Sequence, residues 1–136
     1  MKTLFEICGL GLVGLSLMHA GFPRYFGWKT ELAALSPINR EMMKVHTLFI
    51  ALTVLLMGLL CLSSATLLMD TVLGRRVSLG LGLFWGLRLG IQIFGYSSSL
   101  WRGKRFETAM HILFIVFWSM LTFTFLVAGT GWKMGG

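Results

Sequence analysis

Four apolar runs, each about as long as a helix that crosses a bilayer, make up most of this chain and leave only short polar links between them. They extend from about Thr3 to Gly21, Met43 to Met69, Val77 to Tyr96 and Phe106 to Gly129. About 20 helical residues cross roughly 30 Å of hydrocarbon. Within lipid every backbone N–H and C=O needs a partner inside the protein, so each run is predicted to be helical. The predicted fold is therefore all-α, a single transmembrane domain over residues 1–136 built as an antiparallel four-helix bundle. Charged residues are 12% of the chain, against about 25% in a soluble domain. The longest polar stretch, Pro23 to Lys44, leaves no room for a soluble catalytic domain.

The first run has the look of a signal peptide, with Lys2 before an apolar core. Glu6 interrupts that core, and Met18-His19-Ala20 is a poor cleavage site, so a retained helix is expected. The link Gly21 to Lys29 mixes aromatic and basic residues, as suits the headgroup layer. Ser36-Pro37 is a helix start, with Ser as N-cap and Pro at the first helical position. The second helix should therefore begin well before Met43 and stand partly outside the hydrocarbon. The links Asp70 to Arg76 and Ser97 to Arg105 are short and force antiparallel neighbours.

The net charge of +7 sits almost entirely in these links. No nucleic-acid motif accompanies it, so the expected partners are membrane lipids, with other membrane subunits or self-association as further options. Arg24, Lys29, Arg40, Lys44, Arg102, Lys104 and Arg105 share one side of the membrane, against Lys2, Arg75, Arg76 and Lys133 on the other. That imbalance favours the first and third links facing the cytoplasm. Cys8 and Cys61 both lie in apolar runs and are expected to pack.

Small residues let helices approach closely in lipid. Gly82, Gly86 and Gly90 fall on one face of the third run and predict tight packing there; Gly9, Gly11 and Gly14 do the same in the first. Polar residues inside the runs are costly and so more informative. Trp85, Arg88, Gln92 and Tyr96 form one stripe of the third helix, His46, Thr53, Met57 and Ser64 align in the second, and Glu107, His111, Trp118 and Thr122 in the fourth. Alternating passage brings His19, His46, Gln92 and His111 to the same end of the protein.

Three readings follow. In the first the polar groups satisfy one another: Glu107 pairs with His111 one turn on, Arg88 with a carboxylate or helix-end carbonyls, and Asp70 with Arg75 or Arg76. In the second His46, Arg88, Gln92, Glu107 and His111 form a pocket in one leaflet. It would take b-type haem between His46 and His111, a quinone headgroup or a lipid phosphate. In the third His19, His46 and His111 with Glu41 or Glu107 hold a catalytic metal, although no Glu-x-x-His spacing supports it. The serines lack an obvious base, which disfavours a hydrolytic triad. The expectation is a binding or accessory protein rather than an enzyme.

Three stretches carry a resemblance: Ser36-Pro37-Ile38-Asn39-Arg40 running to His46, Leu83-Phe84-Trp85-Gly86-Leu87-Arg88 through Gln92-Ile93-Phe94, and Leu100-Trp101-Arg102-Gly103 leading to His111. In these the chain resembles an uncharacterised family of small bacterial four-span membrane proteins. The resemblance implies the architecture and a bacterial cytoplasmic (inner) membrane, and no activity. Glutathione-linked membrane enzymes are of similar size, but their Arg, Asn and Glu pattern is absent.

Overall fold

The computed structural model describes residues 1–132, all helix and connecting turns. The order is α1 (Lys2–Tyr25), a short α2 (Trp28–Glu31), a 3-10 turn (Leu32–Ala34), α3 (Pro37–Asp70), α4 (Val72–Gly90), a π-helical turn (Ile91–Gly95), a 3-10 turn (Ser98–Leu100) and α5 (Arg105–Thr130). Four of these segments are long and apolar enough to cross a membrane: α1, α3, α4 with its π turn, and α5. The chain is thus a small polytopic membrane protein with the expected all-α fold. It divides into two compact units, one of Phe5–Ser64 and one of Met1–Leu4 with Ala65 onward. The boundary falls inside α3, where Ser64 leaves helical geometry (φ −131°, ψ 22°). The neighbouring Ser63 hydroxyl donates back to the Leu59 carbonyl at 2.7 Å. Such back-bonding in a serine pair competes with the helical ladder and bends it.

In the first unit α1 and α3 pack antiparallel. The buried stripe of α1 is Phe5, Cys8, Gly9, Leu12, Leu15 and Ser16, the spacing of one helical face. Gly9 and Gly58 let the backbones approach: a Cβ on Gly58 would lie 3.0 Å from the Gly9 carbonyl oxygen. The Ser16 hydroxyl donates to the Ala51 carbonyl at 2.8 Å. Cys8 and Cys61 are both fully buried, as packing thiols should be. α1 runs four residues past the expected end, and ring contacts His19–Phe22 and Phe22–Phe26 at helical spacing line its last turns.

Between α1 and α3, Gly27 takes the left-handed conformation (φ 63°) and turns the chain. Arg40 then fastens the link. Its guanidinium donates to the carbonyls of Leu32, Ala33 and Leu35 at 3.0, 3.1 and 3.2 Å. Arg40→Ala is expected to lower stability by about 1 kcal/mol, the partly exposed setting discounting charged hydrogen bonds. Arg40→Lys should recover little, because one ammonium lacks the guanidinium fork. Thermal unfolding in detergent checks this; an unchanged midpoint for Arg40→Ala would refute it.

α3 begins at Pro37, where the sequence places it. The link predicted over Asp70–Arg76 is a single residue, Thr71. Its hydroxyl accepts from the Gly74 N–H at 2.9 Å and donates to the Leu67 carbonyl at 2.7 Å, capping α4 while closing α3. The expected Asp70 salt bridge does not form. Arg75 instead donates from Nε to the Met69 carbonyl at 2.9 Å, one of the orphan acceptors that end α3.

In the second unit α4 and α5 also run antiparallel. A Cβ on Gly82 would lie 2.6 Å from Leu126, and one on Gly129 would lie 2.8 Å from the Leu79 backbone nitrogen. The predicted glycine face is tight only at Gly82. Gly86 is in ordinary contact with Thr122, and Gly90 meets nothing within 4 Å. Beyond Gly82 the helices part into an open apolar groove of about 580 Å³ lined by Gly86, Gly90, Phe94, Thr122 and Leu126 among others.

Candidate functional site

The polar stripe of α4 meets α5 as an aromatic and hydrogen-bonded cluster. Trp85, 3% exposed, stacks on Trp118 with ring centroids 5.1 Å apart and planes 9° from parallel. Phe114 stacks near Trp118 in turn, at 5.4 Å and 11°. The Arg88 guanidinium carbon sits 5.0 Å from the centroid of Trp118 and 5.7 Å from that of Tyr96. Both contacts are favourable for a cation. Tyr96 is eight residues further toward the end of the span, so the side chain extends toward the interface, as arginines in membranes do.

Gln92 ties the cluster together. It is buried in the π-helical turn Ile91–Gly95, a distortion often found at functional positions. Its Oε1 accepts from Arg88 Nη1 at 3.2 Å and from Trp118 Nε1 at 3.4 Å. Its Nε2 lies 2.8 Å from Nδ1 of His111. Guanidinium and indole N–H groups can only donate, which fixes the amide oxygen on their side. The amide nitrogen must then donate to His111. Nδ1 is therefore bare, and the ring carries its proton on Nε2. Trp101 covers His111, stacked at 3.9 Å and 9°. It is held there by Thr108, whose hydroxyl donates to the Trp101 carbonyl at 2.7 Å.

Of the residues picked from sequence, the fold thus brings Arg88, Gln92 and His111 into one network. Glu107 lies half-buried one turn from His111, and among the described residues it makes no ion pair. Its expected pairing with His111 is displaced by Gln92, which reaches the ring from the neighbouring helix. No carboxylate pairs with Arg88 among the described residues either. His46 lies in the other unit and is exposed, its Nδ1 2.7 Å from the Met42 carbonyl of its own helix. The buried face of α3 is Val54, Gly58, Cys61, Ala65 and Leu68, rather than the predicted face of His46 and Thr53. The least lipophilic residues of α3 satisfy themselves locally: Thr53 donates to Phe49 as Thr47 does to Met43.

Trp101 was missed. It precedes α5 on a link that carries no helical period, and only the aromatic character of Leu100-Trp101-Arg102 marked it.

The haem arrangement asks metal-bound imidazoles to donate from the nitrogen away from the iron. His46 and His19 meet that demand, since a carbonyl partner requires Nδ1–H. His111 has the opposite tautomer, with the proton on the nitrogen that would face the metal, so it does not fit as an axial ligand. Among the described residues no three His, Cys, Asp or Glu side chains are placed to hold a metal ion.

No protein-family model, curated protein or solved structure matches the chain. The class these observations define is a four-span helical membrane protein.

Proposed function

We propose that this protein is a binding or accessory protein of a bacterial cytoplasmic membrane, holding a membrane-resident ligand at the Arg88–Gln92–His111 cluster. The observation that carries this reading is Arg88. It is a half-buried guanidinium within a membrane-length helix, supported on aromatic faces and a neutral amide, with no carboxylate partner among the described residues. An ionisable group at that depth is costly, and in membrane proteins such groups mark ligand paths and relays. The structural arginines Arg40 and Arg75 close on backbone carbonyls, whereas Arg88 rests on a neutral amide and ring faces. Leaving the cation on a neutral scaffold keeps it open to a ligand.

The test is mass spectrometry of the full chain purified in mild detergent from native membranes. A small molecule should copurify with the parent and be depleted in Arg88→Gln. A parent preparation with nothing bound, or one whose ligand survives Arg88→Gln unchanged, would defeat the proposal. The visible spectrum of the same sample addresses the redox alternative. No Soret band is expected, given the tautomer of His111; a Soret band lost in His111→Ala would make haem the ligand.

A further inference from the structure

Resting on that binding reading, we propose that the ligand at Arg88 is the phosphate group of an anionic membrane lipid. The first ground is the imbalance of donors and acceptors. The Arg88 guanidinium has five N–H donors, and among the described residues only Nη1 is engaged, by Gln92. The His111 tautomer adds an N–H at Nε2. Trp85 Nε1, one turn from Arg88, is buried without a hydrogen-bond partner among the described residues. Two side-chain acceptors of the cluster are already engaged: Gln92 Oε1 is shared by two donors and His111 Nδ1 accepts from Gln92 Nε2. A surplus of donors is completed by an acceptor-rich ligand. The free Nε and Nη2 edge of a guanidinium matches two oxygens of a phosphate in parallel.

Charge and depth narrow the class. Arg102, Lys104 and Arg105 follow on the same end of the α4–α5 pair, all exposed, with Glu107 as the nearby acid. Basic residues at a helix end attract anionic headgroups. A neutral quinone would use the donors and leave this charge unanswered. Arg88 lies seven residues before the end of the π turn at Gly95, about 10 Å along the axis. Its side chain extends forward toward Tyr96, in the direction of the span's end.

Lipid and free phosphate share this chemistry, so the experiment separates them. The full-length protein is placed in phosphatidylcholine nanodiscs with or without phosphatidylglycerol, and retained lipid is counted by native mass spectrometry after mild detergent transfer. The parent should retain phosphatidylglycerol over phosphatidylcholine. Arg88→Gln should lose that preference by about tenfold, the size of one charge-assisted hydrogen bond. Gln92→Glu supplies an internal carboxylate to Arg88 and should abolish the preference while leaving thermal stability equal or higher, which a folding defect would not do. Arg102→Gln, Lys104→Gln and Arg105→Gln combined should weaken it by a smaller factor and make it less salt-sensitive. Inorganic phosphate, titrated against tryptophan fluorescence in phosphatidylcholine alone, should have little effect. Saturable binding of inorganic phosphate with no lipid preference would assign the site to a soluble phosphate and overturn the lipid. An equal preference in Arg88→Gln, or one wholly removed by the triple variant, would mean diffuse surface attraction and overturn the site. A neutral molecule copurifying through Arg88 would overturn the phosphate and leave the binding reading intact, whereas a parent with no ligand in either experiment would end both.

Discussion

Gly74→Ala is expected to be among the most damaging single substitutions in this protein, costing about 3 kcal/mol or more. Gly74 sits in the first turn of α4, directly beside the end of α3. A Cβ built there would collide with the Leu67 carbonyl oxygen and would lie 2.7 Å from both the Leu67 carbonyl carbon and the Leu68 Cα. These are backbone atoms, so no rotamer change relieves the clash. The two helix ends must move apart. That movement breaks the Thr71 cap, which relies on the Gly74 N–H and the Leu67 carbonyl at once. It also disturbs Ser78, whose hydroxyl donates to the Leu68 carbonyl at 3.3 Å. The control is Gly80→Ala on the same helix, where a Cβ meets nothing within 4 Å. That change should be neutral or stabilising by up to about 1 kcal/mol, through helix propensity alone. Thermal unfolding of both variants in one detergent decides the matter. Gly74→Ala melting within about 1 °C of the parent would show that the turn is softer than its geometry requires.

Trp118→Ala should cost about 2–4 kcal/mol and loosen the α4–α5 pair around Arg88. Lipid tails solvate apolar groups as well as leucine does, so burial from water contributes little here. What is lost is contact: the stacked faces of Trp85 and Phe114, the tilted ring of Phe117 at 5.3 Å, and the aromatic face under the Arg88 guanidinium. Trp118→Phe keeps one ring in place and removes the N–H to Gln92 with the rest of the indole's second ring, for which about 1–2 kcal/mol is expected. The two variants therefore separate stacking of the retained ring from what the rest of the indole adds. Near-ultraviolet circular dichroism should show the Trp85–Trp118 signal collapse in both, while the thermal midpoint should fall steeply only in Trp118→Ala. Equal midpoints for the two would mean that the retained ring contributes nothing.

Much of the candidate site could be read from residue spacing. Arg88 and Gln92 are four apart, and a helix must set them on one face; the structure joins them at 3.2 Å. Trp118 shared a predicted face with His111, and both face the α4 stripe. Two of the predictions that failed assigned partners by proximity in sequence. Glu107 is one turn from His111 and Asp70 close to Arg75, yet neither pair forms. His111 is taken by the Gln92 amide of another helix, and Arg75 by the backbone carbonyl of Met69, the neighbour of Asp70, in place of the carboxylate. The glycine stripe gave a second lesson. A face of small residues permits close approach along its whole length, but only Gly82 is pressed against α5, and Gly86 and Gly90 lie along an open groove.

The sequence by itself determined that the chain crosses the membrane and crosses it as four helices. Each run is long and apolar enough that an unpaired backbone would be intolerable in lipid, and that constraint needs no knowledge of neighbours. Tertiary structure alone decided which polar groups meet, where α3 breaks, and that the α3–α4 turn is one residue long. Those outcomes depend on how two helices rotate and cross. Periodicity fixes the face a residue occupies on its own helix, and leaves open which face of another helix stands opposite.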